Sequence, residues 1–151
     1  MKICFIASSG GHLDQLMMLF PIMIENDSYI VTEKTNYEIN NKNIRCYEVT
    51  QVNRRELIFI FKLIKLSLKS LYIFLKEKPD VVISTGALIS IPTIMYAKLF
   101  RKKIIFIESF SKVNSPTISG KIAYQYADIF IIQWEGLKKY YKNAIYKGGI
   151  Y

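Results

Sequence analysis

Short runs of Ile, Val and other apolar residues alternate with stretches of helical spacing along the whole chain, and this alternation constrains the fold most. The apolar runs fall at 3–7, 29–32, 46–49, 81–84, 104–107, 129–132 and 144–146, and the helical patterns at 13–24, 56–76, 92–100, 118–126 and 136–141. A strand covered on both faces never meets water, so it reads as an unbroken apolar run rather than as an alternating one. Strand and helix in regular succession predict an α/β fold: a doubly wound, mostly parallel, Rossmann-like sheet with right-handed crossovers. No linker, repeat or low-complexity segment divides the 151 residues, so one domain over 1–151 is expected.

Local chemistry marks some of the boundaries. Pro92 lacks an N–H and has a preset φ, which suits the first turn of a helix. Ser115 or Thr117 can cap the helix that follows. Pro79-Asp80 ends the long helical segment and starts the next strand.

In an open parallel sheet, ligands bind beyond the carboxyl ends of the strands, at the point where the strand order reverses. The segments expected there are Ser8-Ser9-Gly10-Gly11-His12, Thr85-Gly86-Ala87, 108–114 and Gln133-Trp134-Glu135. Glycine lets the backbone approach a ligand closely, and the helix opening at His12 offers unpaired N–H groups to an anion. His12 is the single histidine, and imidazole is the side chain suited to proton transfer near neutral pH. Ser-Ser-Gly-Gly-His is neither GxGxxG nor GxxxxGK[ST], so neither nucleotide mechanism is licensed by it. Without a second histidine or a cysteine pair nearby, no zinc site is expected.

Composition narrows the partners. Lys and Arg number 21 against 12 Asp and Glu, a net charge of +9, and 51% of residues are apolar. That combination suits an anionic surface together with an exposed apolar face. The segment 56–76 is apolar around most of a helix, while Lys62, Lys65, Lys69 and Lys76 fall at helical spacings. Lysines inside it oppose a spanning helix, each costing about 2.5 kcal/mol or more at mid-bilayer. A helix lying in the interface is expected instead, with Phe61 and Leu68 entering the lipid and Lys62, Lys65 and Lys69 reaching anionic headgroups. A buried crossover helix with a solvated lysine edge is the competing reading of the same segment. The 11 tyrosines are scattered rather than set on one basic stripe, so no nucleic-acid partner is expected. Cys4 and Cys46 read as reduced, buried thiols, and the start at Met1-Lys2 shows no signal segment; a cytoplasmic protein is expected.

Taken in order, Ser9-Gly10-Gly11-His12, Ser84-Thr85-Gly86, Phe106-Ile107-Glu108-Ser109-Phe110-Ser111-Lys112-Val113, Thr117-Ile118-Ser119-Gly120-Lys121, Tyr126-Ala127-Asp128 and Phe130-Ile131-Ile132-Gln133-Trp134 resemble the Alg14-type glycosyltransferase subunits. Bacterial capsule and exopolysaccharide versions, the PssD and CpsF-like proteins, are the most similar in character. The resemblance implies the N-terminal, acceptor-binding half of a GT-B glycosyltransferase such as MurG. A separate Alg13-like catalytic subunit would bring the UDP-sugar, and this chain would present a polyprenyl-pyrophosphate-linked saccharide at the inner face of the cell membrane.

It further implies His12 as the base, Ser9, Gly10, Gly11 and Gly86 lining the acceptor pocket, and Glu108 and Ser109 positioning the sugar or meeting the partner. No cofactor and no metal are implied. Gln15 stands where eukaryotic members carry a glutamate, so a role for that acid does not carry over. Lys112 replaces the usual arginine, keeping the charge and losing the bidentate fork. The chain is expected to be inactive or weakly active alone. A non-catalytic membrane adaptor that activates the catalytic subunit is the alternative, and a stand-alone nucleotide-binding enzyme a weaker third.

Overall fold

The apolar runs become the strands. β1 (Lys2–Ala7), β2 (Asp27–Glu33), β3 (Arg45–Val49), β4 (Val81–Gly86), β5 (Lys103–Ile107), β6 (Ile129–Ile132) and β7 (Ile145–Tyr146) form one sheet in the order β3-β2-β1-β4-β5-β6-β7. Every neighbouring pair is parallel. The computed structural model describes residues 1–34, 44–52 and 56–150. The order reverses at β1 and β4, which lie side by side, so the crevice expected in a doubly wound sheet opens above their carboxyl ends. Register there runs Ile6 against Ser84 and then Ala7 against Gly86, an irregularity at the very end of β1.

The helices are α1 (Gly11–Met17), α2 (Phe20–Ile24), α3 (Phe59–Glu77), α4 (Ser90–Leu99) and α5 (Ile118–Tyr124), with a 3₁₀ turn at Glu135–Lys139. They cover both faces of the sheet, and alternate strand residues supply two cores. Cys4 and Ile6 join Leu66, Ile73, Phe74, Ile94 and Ala97 on the α3–α4 side. Ile3, Phe5 and Ala7 join Leu13, Leu16 and Met23 on the α1–α2 side. Each Ile, Leu, Phe or Met side chain among them contributes about 1.5–3 kcal/mol by leaving water. Thr117 caps α5, its Oγ1 accepting from the Gly120 N–H at 2.7 Å, and Pro92 sits in the first turn of α4.

Two expectations are corrected. The helix read at 13–24 is two helices broken at Met18 and Leu19, with Pro21 in the opening turn of the second. A continuous helix would have set the proline ring against the carbonyl of Met17, four residues earlier. Cys46 is exposed, because β3 is the outer strand of the sheet. Only Cys4 is buried, and burial pushes its thiol up to about 12, which keeps it protonated and unreactive.

α3 buries Leu66, Ser70, Ile73, Phe74 and Glu77 and leaves the opposite side open. Phe61 is 76% and Leu68 63% exposed, in line with Ile60, Ile64 and Tyr72. Lys65 and Lys69 are exposed along the same helix, while Lys62 is half-buried and paired with Glu56. Among the described residues, no helix is long and apolar enough to cross a membrane.

Candidate functional site

The loop after β1 turns at Gly10, whose φ of +78° and ψ of −148° suit a residue without Cβ. Its carbonyl accepts from Leu13 N at 2.8 Å and Asp14 N at 3.1 Å, closing the first turn of α1. Ser9 is anchored sideways: its N–H and Oγ–H donate to Glu33 Oε2 at 3.3 and 3.1 Å. Glu33 ends β2, so a buried carboxylate on one strand fixes the loop leaving the next.

His12 then faces the end of β4. Its Nδ1 lies 2.8 Å from the Thr85 carbonyl oxygen. A carbonyl can only accept, so this bond places the proton on Nδ1 and leaves Nε2 as the basic nitrogen of the neutral ring. Thr85 Oγ1 donates back to the His12 carbonyl at 2.7 Å. Gly86, at φ +110°, leaves room for the ring: a Cβ there would stand 3.1 Å from His12 Cε1.

The far wall comes from the loop after β5. Glu108 is 1% exposed and its carboxylate is surrounded by donors. Oε1 accepts from Ser109 N at 2.9 Å and Thr117 Oγ1 at 2.8 Å. Oε2 accepts from Tyr141 OH at 2.6 Å and Thr117 N at 3.3 Å. The backbone carbonyl of Glu108 takes the Gln133 amide at 2.8 Å. Burial, and then the neighbouring Glu108, push the Tyr141 phenol up, so the tyrosine stays a donor. Gly120 makes space for this cradle, since a Cβ there would fall 2.0 Å from Glu108 Oε2. Trp134 Nε1 donates to the Phe110 carbonyl at 2.6 Å and its ring packs on that of Phe110, with centroids 4.9 Å apart.

Between the two loops lies an open cavity of about 480 Å³, lined by Gly11, His12, Gln15, Ser109, Phe110 and Ser111. That volume falls in the range of small-ligand sites, about 300–1,000 Å³. Of the residues singled out from sequence, Gly11, His12 and Ser109 reach the cavity. Gly10 makes the turn, Gly86 backs the imidazole, Ser9 anchors the loop and Glu108 braces the far wall from beneath. Lys62, Lys65, Lys69, Phe61 and Leu68 lie apart, on α3.

Phe110 and Ser111 fall within the expected 108–114 segment and Thr85 within Thr85-Gly86-Ala87, whereas Gln15 in the wall and Thr85 and Glu33 as loop anchors are seen only in the structure. A signal existed for Glu33, a carboxylate closing an apolar strand beside a glycine turn. The Thr85 contact depends on the β1–β4 register and leaves no local trace.

The chain is 25% identical to the human UDP-N-acetylglucosamine transferase subunit ALG14 over 99% of its length and 83% of that protein's. It is 31% identical to the rat protein of the same name over 83% of its own length and 58% of the relative's. Among solved structures, MurG of Acinetobacter baumannii superposes with a TM-score of 0.71 at 16% identity, over 89% of this chain and 42% of that one. The UDP-N-acetylglucosamine 2-epimerase of Rickettsia bellii superposes with a TM-score of 0.77 at 17% identity, over 99% and 45%. The chain thus spans less than half of these enzymes, and the shared architecture is one Rossmann-like half of the GT-B fold. Residues 3–150 match the family described as "Oligosaccharide biosynthesis protein Alg14 like", and the chain belongs to that Alg14 family.

Proposed function

We propose that this chain is the acceptor-side subunit of a two-component glycosyltransferase, completed by a separate Alg13-like subunit that binds a UDP-sugar. The observation that carries the reading is His12, held through Nδ1 by the Thr85 carbonyl at the wall of the cavity between the β1 and β5 loops. A base fixed in this way can accept the proton of an acceptor hydroxyl as its oxygen attacks the anomeric carbon. The bond from that carbon to the UDP phosphate breaks, UDP leaves, and the anomeric configuration inverts without a metal.

The acceptor is a saccharide linked through pyrophosphate to a polyprenyl lipid, and bacterial capsule or exopolysaccharide assembly is the setting. α3 supports the lipid side of this reading. It runs from the carboxyl end of the sheet to the amino end, so Leu57, Ile60 and Phe61 lie at the end nearer the cavity edge. Its exposed apolar side chains beside Lys65 and Lys69 suit the headgroup region of an anionic membrane, at the inner face of which the chain would work as a peripheral protein.

Ligand binding by the isolated chain tests the division of labour. The expected result is retention of a polyprenyl-pyrophosphate-linked sugar in anionic vesicles and no calorimetric binding of UDP-N-acetylglucosamine. Tight UDP-sugar binding by the chain alone would return the case to a self-sufficient nucleotide-binding enzyme.

A further inference from the structure

Gln15 is 1% exposed, lies on the inner side of α1 and contributes to the cavity wall. Its side-chain Nε2 has no hydrogen-bond partner among the described residues. Leaving a buried amide donor unpaired costs free energy, so such groups need a reason. Serine hydroxyls are close at hand in the same wall, and Ser109 Oγ and Ser111 Oγ pair with each other at 3.0 Å rather than with Gln15. The donor is therefore left without a protein acceptor, in a residue that lines the cavity.

The rest of the lining tells what would meet it. Among the described residues, the wall holds an imidazole, an amide, two hydroxyls, a glycine and the Phe110 ring, with no carboxylate, ammonium or guanidinium. The anionic groups nearby are turned away: Glu33 is engaged by Ser9, and Glu108 by Ser109, Thr117 and Tyr141. Lys98, Arg101, Lys102 and Lys103 gather around a separate cavity beside Asp128, and Lys112 follows Ser111 without lining this one. Pyrophosphate groups seek cations and charge-assisted donors. A sugar ring instead presents hydroxyl or amide oxygens at its rim and an apolar C–H face that packs on an aromatic ring.

We propose that Gln15 is a sugar-recognition residue: its Nε2–H donates to an oxygen of an uncharged pyranose ring in this cavity, and the site selects neutral sugars over acidic sugars and over the pyrophosphate itself. This rests on reading the cavity as the acceptor side of a transferase, and it assigns the space to the acceptor's sugar, with the pyrophosphate outside. Gln15 selects rather than reacts. An amide in place of a carboxylate supplies a donor without a charge, and a wall with no cation among the described residues leaves the desolvation cost of an acidic sugar or a pyrophosphate uncompensated.

The test uses the ¹⁵N-labelled full chain in ¹H–¹⁵N spectra, titrated with methyl N-acetyl-β-glucosaminide, methyl β-glucopyranoside, methyl β-glucuronide and inorganic pyrophosphate. The Gln15 side-chain NH₂ pair and the Ser109 and Ser111 amides are expected to shift with the neutral glycosides. The glucuronide and pyrophosphate should leave them in place at the same concentrations. Gln15→Leu, of similar volume, should unfold at the same temperature as the parent or higher, while its affinity for the neutral glycosides falls at least tenfold. Shifts with pyrophosphate but not with glycosides, no shift with any glycoside, or a Gln15→Leu chain that loses stability but keeps its affinity would each overturn the assignment. A pair of subunits that transfers sugar without these shifts discards Gln15 and keeps the proposed function. Shifts in a chain that supports no transfer with any partner do the reverse.

Discussion

His12 and Thr85 are joined in both directions: the imidazole Nδ1–H donates to the Thr85 carbonyl at 2.8 Å, and the Thr85 hydroxyl donates to the His12 carbonyl at 2.7 Å. His12 stands in the first turn of α1 and Thr85 near the end of β4, so the pair stitches the start of α1 to the end of β4 and sets both tautomer and direction of the ring. Gly86 is the condition for this arrangement. Gly86→Ala places a methyl 3.1 Å from His12 Cε1 and forces a positive φ on alanine. The expected outcome is a loss of about 1–3 kcal/mol in stability and a still larger loss of transfer by the assembled complex. Denaturant unfolding measured beside the transfer rate checks it, and a variant with parental values in both would detach Gly86 from the imidazole.

The Glu108 carboxylate works as a buried knot rather than as an open acid. Four donors converge on it from Ser109, Thr117 and Tyr141. Gly120→Ala would drive a Cβ to 2.0 Å from Oε2, and Glu108→Leu would leave those donors unpaired. Each is expected to lower stability by about 2–3 kcal/mol. Thermal unfolding measures this directly. Glu108→Leu with full stability and no transfer would point instead to a direct role for the acid.

Glu77 gives the fold an acid-sensitive tie. Burial alone would raise its pKa, but the Tyr47 and Lys2 hydrogen bonds and the Arg45 and Lys2 charges outweigh that and hold it below its ordinary value. The Lys2 Nζ and Arg45 Nη1 contacts are both 3.1 Å to Oε2, so the carboxylate links the end of α3 to β1 and β3. A depressed folded pKa means the unfolded chain binds the proton more tightly. The stabilisation is therefore complete above the ordinary value near 4.5 and is lost as pH falls through the lower folded value. Glu77→Gln should cost about 2 kcal/mol at neutral pH and flatten the dependence of unfolding free energy on pH below about 4.5. Equal slopes for parent and variant in that range would contradict this.

On α3, Phe61 and Leu68 carry the lipid-facing claim. Both are more than half exposed, and neither belongs to the two cores. Replacing both with glutamate should leave thermal stability within about 0.5 kcal/mol, as surface changes do. Co-sedimentation with anionic vesicles should fall at least tenfold, and the parent should bind neutral vesicles far less than anionic ones. Unchanged sedimentation of the double variant would move the membrane contact off this helix.

The strand pattern was legible because burial on both faces left unbroken Ile and Val runs, and β4, β5 and β6 lie where those runs are. Where one residue decides against the pattern, periodicity misled: Pro21 breaks what spacing alone reads as one helix from 13 to 24. Exposure of Cys46 was equally hidden, since a short apolar run does not say whether its strand ends up outermost. At the site, the turn at Gly10 and Gly11 was readable from two glycines between an apolar run and a helical pattern, a signal that by itself more often marks plain turn chemistry than a site. The pairings that give the site its shape were not, because His12 with Thr85, Ser9 with Glu33 and Glu108 with Tyr141 are set by register across strands distant in the chain.

On the proposed function, this chain holds half of a transferase site. Its most direct test is transfer of labelled N-acetylglucosamine, and of other sugars in parallel, from UDP to a polyprenyl-pyrophosphate-linked saccharide. The parental chain and its His12→Ala variant are each assayed alone and with the Alg13-like subunit. Transfer is predicted only from the parental pair, with the variant still co-purifying with its partner. Transfer by this chain alone, or full activity of the His12→Ala pair, would overturn the proposed division of the site between two subunits.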